Sequence, residues 1–116
     1  INFHKKNKKI ATLTAVRYKN PKGVLIFSNN SKVKKIKEKP TEYINGGFFV
    51  LSNTIFKKLT EENMSWESKP LIDLVESEQL MAYRHEGFWC AMDTLREKNL
   101  LHKLWVEEKA PWKTWL

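Results

Sequence analysis

A chain of 116 residues and 13.8 kDa has room for one ordinary domain and not two. Its 41% hydrophobic and 12% aromatic residues are enough to build a core, which excludes disorder, and its longest apolar run, Gly46 to Leu51, is far short of the roughly 18 to 20 residues a membrane-spanning helix needs. The net charge of +8 is local: residues 1 to 40 carry 12 Lys or Arg against the one acid Glu38, giving +11, and residues 41 to 116 carry nine against 12, giving −3.

Ile10 to Tyr18 is rich in β-formers and predicts a first strand, ended by the turn chemistry of Asn20-Pro21-Lys22-Gly23. Val24 to Ser28 predicts a second strand. Asn29-Asn30 can take left-handed turn conformations, and Val33 with Ile36 predicts a third, short strand, so that the two make a hairpin closed by Lys39-Pro40. After a polar link, Thr41 to Tyr43, the nearly continuous apolar run Ile44 to Leu51 predicts a buried strand. Ser52 or Asn53 can cap a short helix through about Leu59 with Ile55, Phe56 and Leu59 on one stripe. A second helix is expected from near Trp66 to near Ser77, with Pro70 in its first turn. Leu80 to His85 predicts a strand, Glu86-Gly87 a turn, and Phe88 to Met92 a further strand. Asp93 or Thr94 then caps a final helix carrying Leu95, Leu100, Leu101, Leu104 and Trp105, which Ala110-Pro111 stops. Alternating strands and helices predict an α/β fold with a mixed sheet flanked by helices, its ligands lying beyond the carboxyl ends of the strands.

The lone Cys90 can form no internal disulfide and supplies no zinc-site spacing, which points to the cytoplasm. Flanked by bulky apolar residues and without a local base, it reads as a small buried hydrophobe and not as a nucleophile. The opening Ile1-Asn2-Phe3-His4-Lys5-Lys6 has neither an initiator Met nor the apolar core of a signal peptide, so the chain is expected to begin inside a longer protein. The basic segment attracts phosphates or is a solvated Lys-rich face. The aromatics that would stack bases, chiefly Phe48, Phe49, Trp89, Trp105, Trp112 and Trp115, lie outside it, so nucleic acid is not the expected partner. Trp66, Trp112 and Trp115 read as core or interface anchors.

Three positions can carry chemistry. In Lys37-Glu38-Lys39-Pro40 a rigid turn presents an ammonium suited to a phosphate beside a carboxylate suited to sugar hydroxyls; the alternative is an ordinary charged turn. The pair Gly46-Gly47 inside a strand marks either close approach of a ligand or tight strand packing. Asp93 stands at the end of an apolar run, where a carboxylate can hold Mg²⁺ or cap a helix.

Read in order, Ala11 to Arg17, Lys37-Glu38-Lys39-Pro40, Ile44 to Val50, Leu80 to His85, Phe88-Trp89 with Met92 to Arg96, and Lys109 to Lys113 resemble the sugar-phosphate nucleotidyltransferase family over nearly the whole chain. Ile-Asn-Gly-Gly-Phe-Phe-Val together with Met-Asp-Thr-Leu-Arg points to its cytidylyl branch. The resemblance implies a Rossmann-like nucleotidyltransferase fold and transfer of a cytidylyl group from CTP to α-D-glucose 1-phosphate, with release of pyrophosphate. It implies Mg²⁺ as cofactor, held in part by Asp93. Lys39 resembles the lysine that meets the sugar phosphate, Glu38 its neighbour on the sugar hydroxyls, and Asn45 with Gly46 part of the sugar pocket. Gly23 resembles the glycine whose backbone lies against the sugar, and the family implies a homo-oligomer. The family's Gly-rich triphosphate loop and its first Mg²⁺-binding aspartate have no counterpart here. Residues 1–116 are therefore expected to be the carboxyl-terminal, sugar-binding portion of the domain, inactive alone; the other readings are a sugar-phosphate-binding or assembly module and a transferase of another nucleotide or sugar.

Overall fold

The computed structural model describes residues 1–18, 23–38, 41–59 and 63–115, which form two compact units, Ile1–His85 and Glu86–Leu116. The first contains helix α1 (Asn2–Asn7), strands β1 (Ala11–Tyr18), β2 (Val24–Phe27), β3 (Val33–Lys37) and β4 (Glu42–Leu51), a 3-10 turn (Asn53–Lys57), helix α2 (Lys69–Glu76) and strand β5 (Leu80–His85). The second contains helix α3 (Leu95–Val106). The expected α/β class is what forms: β1 lies at the centre of a three-stranded mixed sheet, antiparallel to β4 and parallel to β5.

Side chains alternate across β1, so each face of the sheet has its own cover. On one face Ala11 packs with Ile55 of the 3-10 turn and Leu74 of α2, and Ile10, Trp66 and Leu80 close around that cluster. Trp66, expected as an anchor, meets Phe49 edge to face at 5.4 Å between centroids. On the other face Thr12 meets His4 of α1, a helix that the sequence reading did not foresee. His4 is 8% exposed, with Nδ1 2.8 Å from Thr12 Oγ1 and Nε2 3.0 Å from Ser52 Oγ. The Ser52 hydroxyl donates to the Lys9 carbonyl at 3.3 Å, so it accepts from His4 Nε2–H, and Nδ1 accepts from Thr12. One imidazole thus ties α1 to the start of β1 and to the end of β4 with no buried polar atom left over.

That use of Ser52 explains the first departure from expectation. Its hydroxyl makes no cap bond, and residues 53–57 form a 3-10 turn in place of a helix reaching Leu59. Ile55 turns inward while its neighbour Phe56 is 73% exposed, so the predicted stripe does not pack as one. Strand β4 is the second departure: it starts at Glu42, within the predicted link, and Phe48 is 71% exposed, so it is not the buried strand expected. The reason is its place at the edge of the sheet and an irregularity in its register. Leu13 pairs with Phe49 and Ala15 with Asn45, so Gly46, Gly47 and Phe48 stand opposite Thr14 alone. Gly47 takes φ +85°, the left-handed conformation that only glycine adopts cheaply, and its backbone turn points Phe48 outward.

The predicted hairpin is present as β2 and β3. Its left-handed residue is Ser31 (φ 62°), not the Asn pair, and Ser28 closes the loop by donating its N–H to the Lys32 carbonyl at 2.8 Å. The closing residues Lys39 and Pro40 lie outside the described residues. Both longer helices end in the same way. The N–H of Gln79 bonds to Leu74 O and that of Glu78 to Val75 O; Lys109 bonds to Leu104 O and Glu108 to Trp105 O. These are Schellman motifs with a glutamate in the left-handed position, Glu78 at φ 55° and Glu108 at φ 57°. Helix α3 therefore stops at Val106, before Ala110-Pro111 is reached.

In the second unit, Phe88 to Met92 forms no strand, because no neighbouring strand of that unit offers it a ladder. Phe88 packs against Trp112 instead, at 5.7 Å, and Trp115 lies 6.5 Å from Trp105 of α3. Thr94 caps α3: its hydroxyl accepts from Glu97 N–H at 3.2 Å while Glu97 Oε2 accepts from the N–H groups of Asp93 and Thr94, both at 2.9 Å. Those backbone donors, with the Thr94 hydroxyl, hold the Glu97 carboxyl below the usual range. A lowered folded-state pKa stabilises the helix above the ordinary glutamate value of about 4.3, and that contribution is lost as the pH falls through the lower folded value. The protection of the α3 amides, measured against the intrinsic exchange rate at each pH, should fall in that acid window. Thr94→Ala should cost about 1 kcal/mol at neutral pH and flatten the acid dependence; an unchanged exchange profile would show that the box does not hold the helix.

Candidate functional site

The parallel strands β1 and β5 run side by side, and their carboxyl ends bring Arg17, Tyr18, Arg84 and His85 to one end of the sheet. The start of β4 arrives there from the opposite direction, pairing Tyr43 with Arg17 and Asn45 with Ala15. Asn45 is held at both ends: Oδ1 accepts from Gly47 N–H at 2.9 Å and Nδ2 donates to Glu67 Oε1 at 2.9 Å. The glycine pair thus has a local cause, since Asn45 turns back onto a bulge that needs a left-handed Gly47, while Gly46 is buried. The amide stays on the surface with its orientation set by a carboxylate at the entry to α2.

Gly23 and Glu38 come together at the open end of the hairpin, one step beyond the pair Val24–Lys37. A Cβ on Gly23 would stand 3.1 Å from Ile36 Cγ2 and 3.3 Å from the Lys37 carbonyl, so glycine lets the strands close where a side chain would press them apart. Glu38 is exposed, and Lys39 lies outside the described residues. Asp93 belongs to the second unit, where it is exposed. Thr94, not Asp93, caps α3, so the capping reading of Asp93 does not hold; its carboxylate has no hydrogen bond or ion pair among the described residues. Cys90 is half-buried and donates to the Ala91 carbonyl, and burial, with the Glu97 charge adding, pushes its thiol pKa up, away from the nucleophilic thiolate.

Two features were not read from the sequence. Tyr43 lies under two guanidinium groups, Arg17 at 5.1 Å and Arg84 at 5.3 Å from the ring centroid. The signal was the position of both arginines next to last in predicted strands that proved to be parallel. The second is a cavity of about 260 Å³ between α1 and the sheet, lined by His4, Thr12, Thr14, Val50 and Tyr83, on the face opposite Asn45 and holding no candidate residue. Among the described residues no group of three or more His, Cys, Asp or Glu is placed to hold a metal ion, and no helix is long and apolar enough to cross a membrane.

This α/β arrangement has a counterpart among solved structures. The structure matches that of a putative glucose-1-phosphate thymidylyltransferase from Bacillus anthracis, solved in complex with a sucrose, with a TM-score of 0.59 over 89% of this chain and 46% of that one at 19% identity. No protein-family model matches the chain. In sequence it is 44% identical, over 99% of its length, to the glucose-1-phosphate cytidylyltransferase of Salmonella typhimurium, and 35% identical over the same share to the probable glucose-1-phosphate cytidylyltransferase of Bacillus subtilis. The mannose-1-phosphate guanyltransferase of Yarrowia lipolytica is 31% identical over 85% of the chain. The resemblance carried by the motifs is borne out, and the chain spans 46% of the length of the two cytidylyltransferases.

Proposed function

We propose that the chain is the sugar-side, carboxyl-terminal part of an enzyme that transfers a cytidylyl group from CTP to α-D-glucose 1-phosphate. An oxygen of the sugar phosphate attacks the α-phosphorus of CTP, the bond from that phosphorus to the α,β-bridging oxygen breaks, and CDP-glucose and pyrophosphate result. The observation that carries this reading is the 44% identity to the Salmonella enzyme along 99% of the chain. The guanyltransferase relative supports the broader class, transfer of a nucleotidyl group to a sugar phosphate.

The chain's own residues divide the work. Asn45, its amide oriented by Glu67 and by the Gly47 N–H, offers a hydrogen-bonding group at the strand ends to a sugar hydroxyl. Glu38 and the backbone of Gly23, adjacent at the hairpin mouth, take the other side of the sugar, and Lys39 takes its phosphate. The exposed Asp93 carboxylate, not needed by the helix behind it, suits one oxygen ligand position of Mg²⁺, a cation that commonly binds one or two carboxylates and completes its shell with water and phosphate oxygens. When bound, Mg²⁺ neutralises charge on the transferring phosphoryl group. The exposed apolar side chains Phe48 on β4 and Phe27 and Ile36 on the hairpin suit a chain that assembles with further polypeptide, including the homo-oligomer proposed for the whole enzyme.

Pyrophosphate release with CTP, glucose 1-phosphate and Mg²⁺ is the test. The protein encoded by the complete reading frame should turn over at an ordinary enzymatic rate, about 1 to 10³ per second, and residues 1–116 alone should not. Turnover by residues 1–116 alone would overturn the division of the site, and release with mannose 1-phosphate and GTP but not with glucose 1-phosphate and CTP would overturn the choice of substrates.

A further inference from the structure

The register of the sheet gathers an unusual set of side chains on its α2 face. Arg17 stands directly opposite Tyr43, and Ala15, two residues earlier on the same face, stands between Asn45 on β4 and Arg84 on β5. Neighbouring strands lie about 4.8 Å apart, so for Arg84 to reach a ring on β4 it must cross β1 entirely. It does so over Ala15, whose methyl group leaves the way open, and ends 5.3 Å from the Tyr43 centroid, beside Arg17 at 5.1 Å. The result is two positive charges drawn to one neutral ring, next to the oriented amide of Asn45.

A tyrosine ring holds a guanidinium through its quadrupole and cancels none of its charge. For Arg84 the acids at hand do little more. Glu67 accepts from Asn45, and Glu42 precedes Tyr43 on the strand and so lies on the opposite face. Among the described residues Arg84 has no carboxylate partner; the ring is its contact. A guanidinium held by its contact with a ring has its fork of N–H donors preset, which reduces the ordering cost of gripping an anion with two parallel hydrogen bonds.

We propose that Arg84, standing beside Arg17 on the Tyr43 platform, forms a phosphate-recognition site, taking a phosphate monoester whose sugar reaches Asn45. The inference rests on the sugar-phosphate reading above and adds to it a second cationic contact, separate from the Lys39 turn. Tyr43 sets where the two charges stand. Arg84 acts on the phosphate directly.

NMR titration of the 116-residue chain with inorganic phosphate, glucose 1-phosphate and glucose tests it, with Arg84→Gln, Arg84→Lys and Tyr43→Leu as variants. Phosphate and glucose 1-phosphate should both shift the amides of Arg17, Tyr43 and Arg84, and raising the salt should weaken both. Arg84→Gln should weaken both about tenfold or more and leave any response to glucose unchanged. Arg84→Lys, which keeps the charge and loses the fork, should recover binding only in part and guards against a folding defect in the glutamine variant. Tyr43→Leu should weaken phosphate binding while both arginines remain. Binding of glucose 1-phosphate that Arg84→Gln leaves intact would overturn this inference and spare the sugar-phosphate reading. Phosphate binding that depends on Arg84 but gains nothing from the sugar would support the anion site and count against that reading. No phosphate response at these three residues in the unsubstituted chain would overturn the inference outright.

Discussion

Leu74→Ala should lower the stability of the Ile1–His85 unit by about 2 to 5 kcal/mol, because it empties the centre of a small core. Leu74 has no solvent exposure and packs on Ala11 and Ile55, with Ile10, Trp66 and Leu80 partly buried around that cluster. Ala11 is already as small as a side chain can be while keeping a Cβ, so it cannot fill the space. For a domain of this size each kcal/mol moves the melting midpoint by about 4 to 8 °C, so the loss should appear as a shift of about 10 °C or more, a large part of the roughly 5 to 15 kcal/mol that holds such a domain together. Val75→Ala is the control: the next residue on α2 is 59% exposed and should cost only about the few tenths of a kcal/mol typical of surface changes. Equal shifts for the two variants would mean that α2 does not pack on the sheet through Leu74.

Asp93→Asn, made in the complete enzyme, should reduce cytidylyl transfer by about a hundredfold or more while moving the melting midpoint by only a few degrees. The two readouts separate because the structure separates two duties that the sequence left with one residue. Thr94 and Glu97 exchange the capping hydrogen bonds, and the Asp93 contribution to them is its backbone N–H, which the amide side chain does not touch. What the variant loses is the negative charge, at most about 1 kcal/mol of favourable interaction with the helix terminus. On the proposed function it also loses a ligand charge of the metal site, where even indirect supports of a ligand are worth about 10- to 100-fold. A loss of stability with unchanged Mg²⁺ dependence would return Asp93 to a structural role.

The strands were legible where their own chemistry decided them. Ala11–Tyr18 is β-branched and small, Val24–Phe27 and Val33–Lys37 are short runs on either side of a turn, and Leu80–His85 is bounded by turn residues; each formed nearly where expected. The helix from Lys69 was marked by Pro70, and the final helix by Thr94 with Glu97 three residues on, a local signal that became a capping box. Local signals failed where a partner elsewhere competed for the same atoms. Ser52 carries the sequence mark of a helix cap, yet His4, 48 residues away, takes its hydroxyl, and the segment tightens into a 3-10 turn. Phe88 to Met92 has the composition of a strand, but a strand exists only if another offers it hydrogen bonds, and these residues pack against Trp112 instead.

The candidate site divides along the same line. Residue type and position named Glu38, Lys39, Gly46 and Asp93, and the family resemblance of the Ile44 to Val50 motif added Asn45, because both are properties of the chain read in one dimension. The pairing of Asn45 with Glu67, the left-handed turn at Gly47 and the transfer of capping to Thr94 depend on hydrogen bonds that fix which atoms remain available. The meeting of Arg17, Tyr43 and Arg84 needed the fold itself. Their spacing along the chain carries no pattern, and only the strand order β4-β1-β5, with β1 antiparallel to one neighbour and parallel to the other, sets all three on one face beside Ala15. Spacing within one segment determines periodicity and capping, whereas the face and register of a strand are settled by whichever strand it pairs with, and here the partners lie 26 to 69 residues apart: Arg17 with Tyr43 across one ladder, Arg84 with Ala15 across the other.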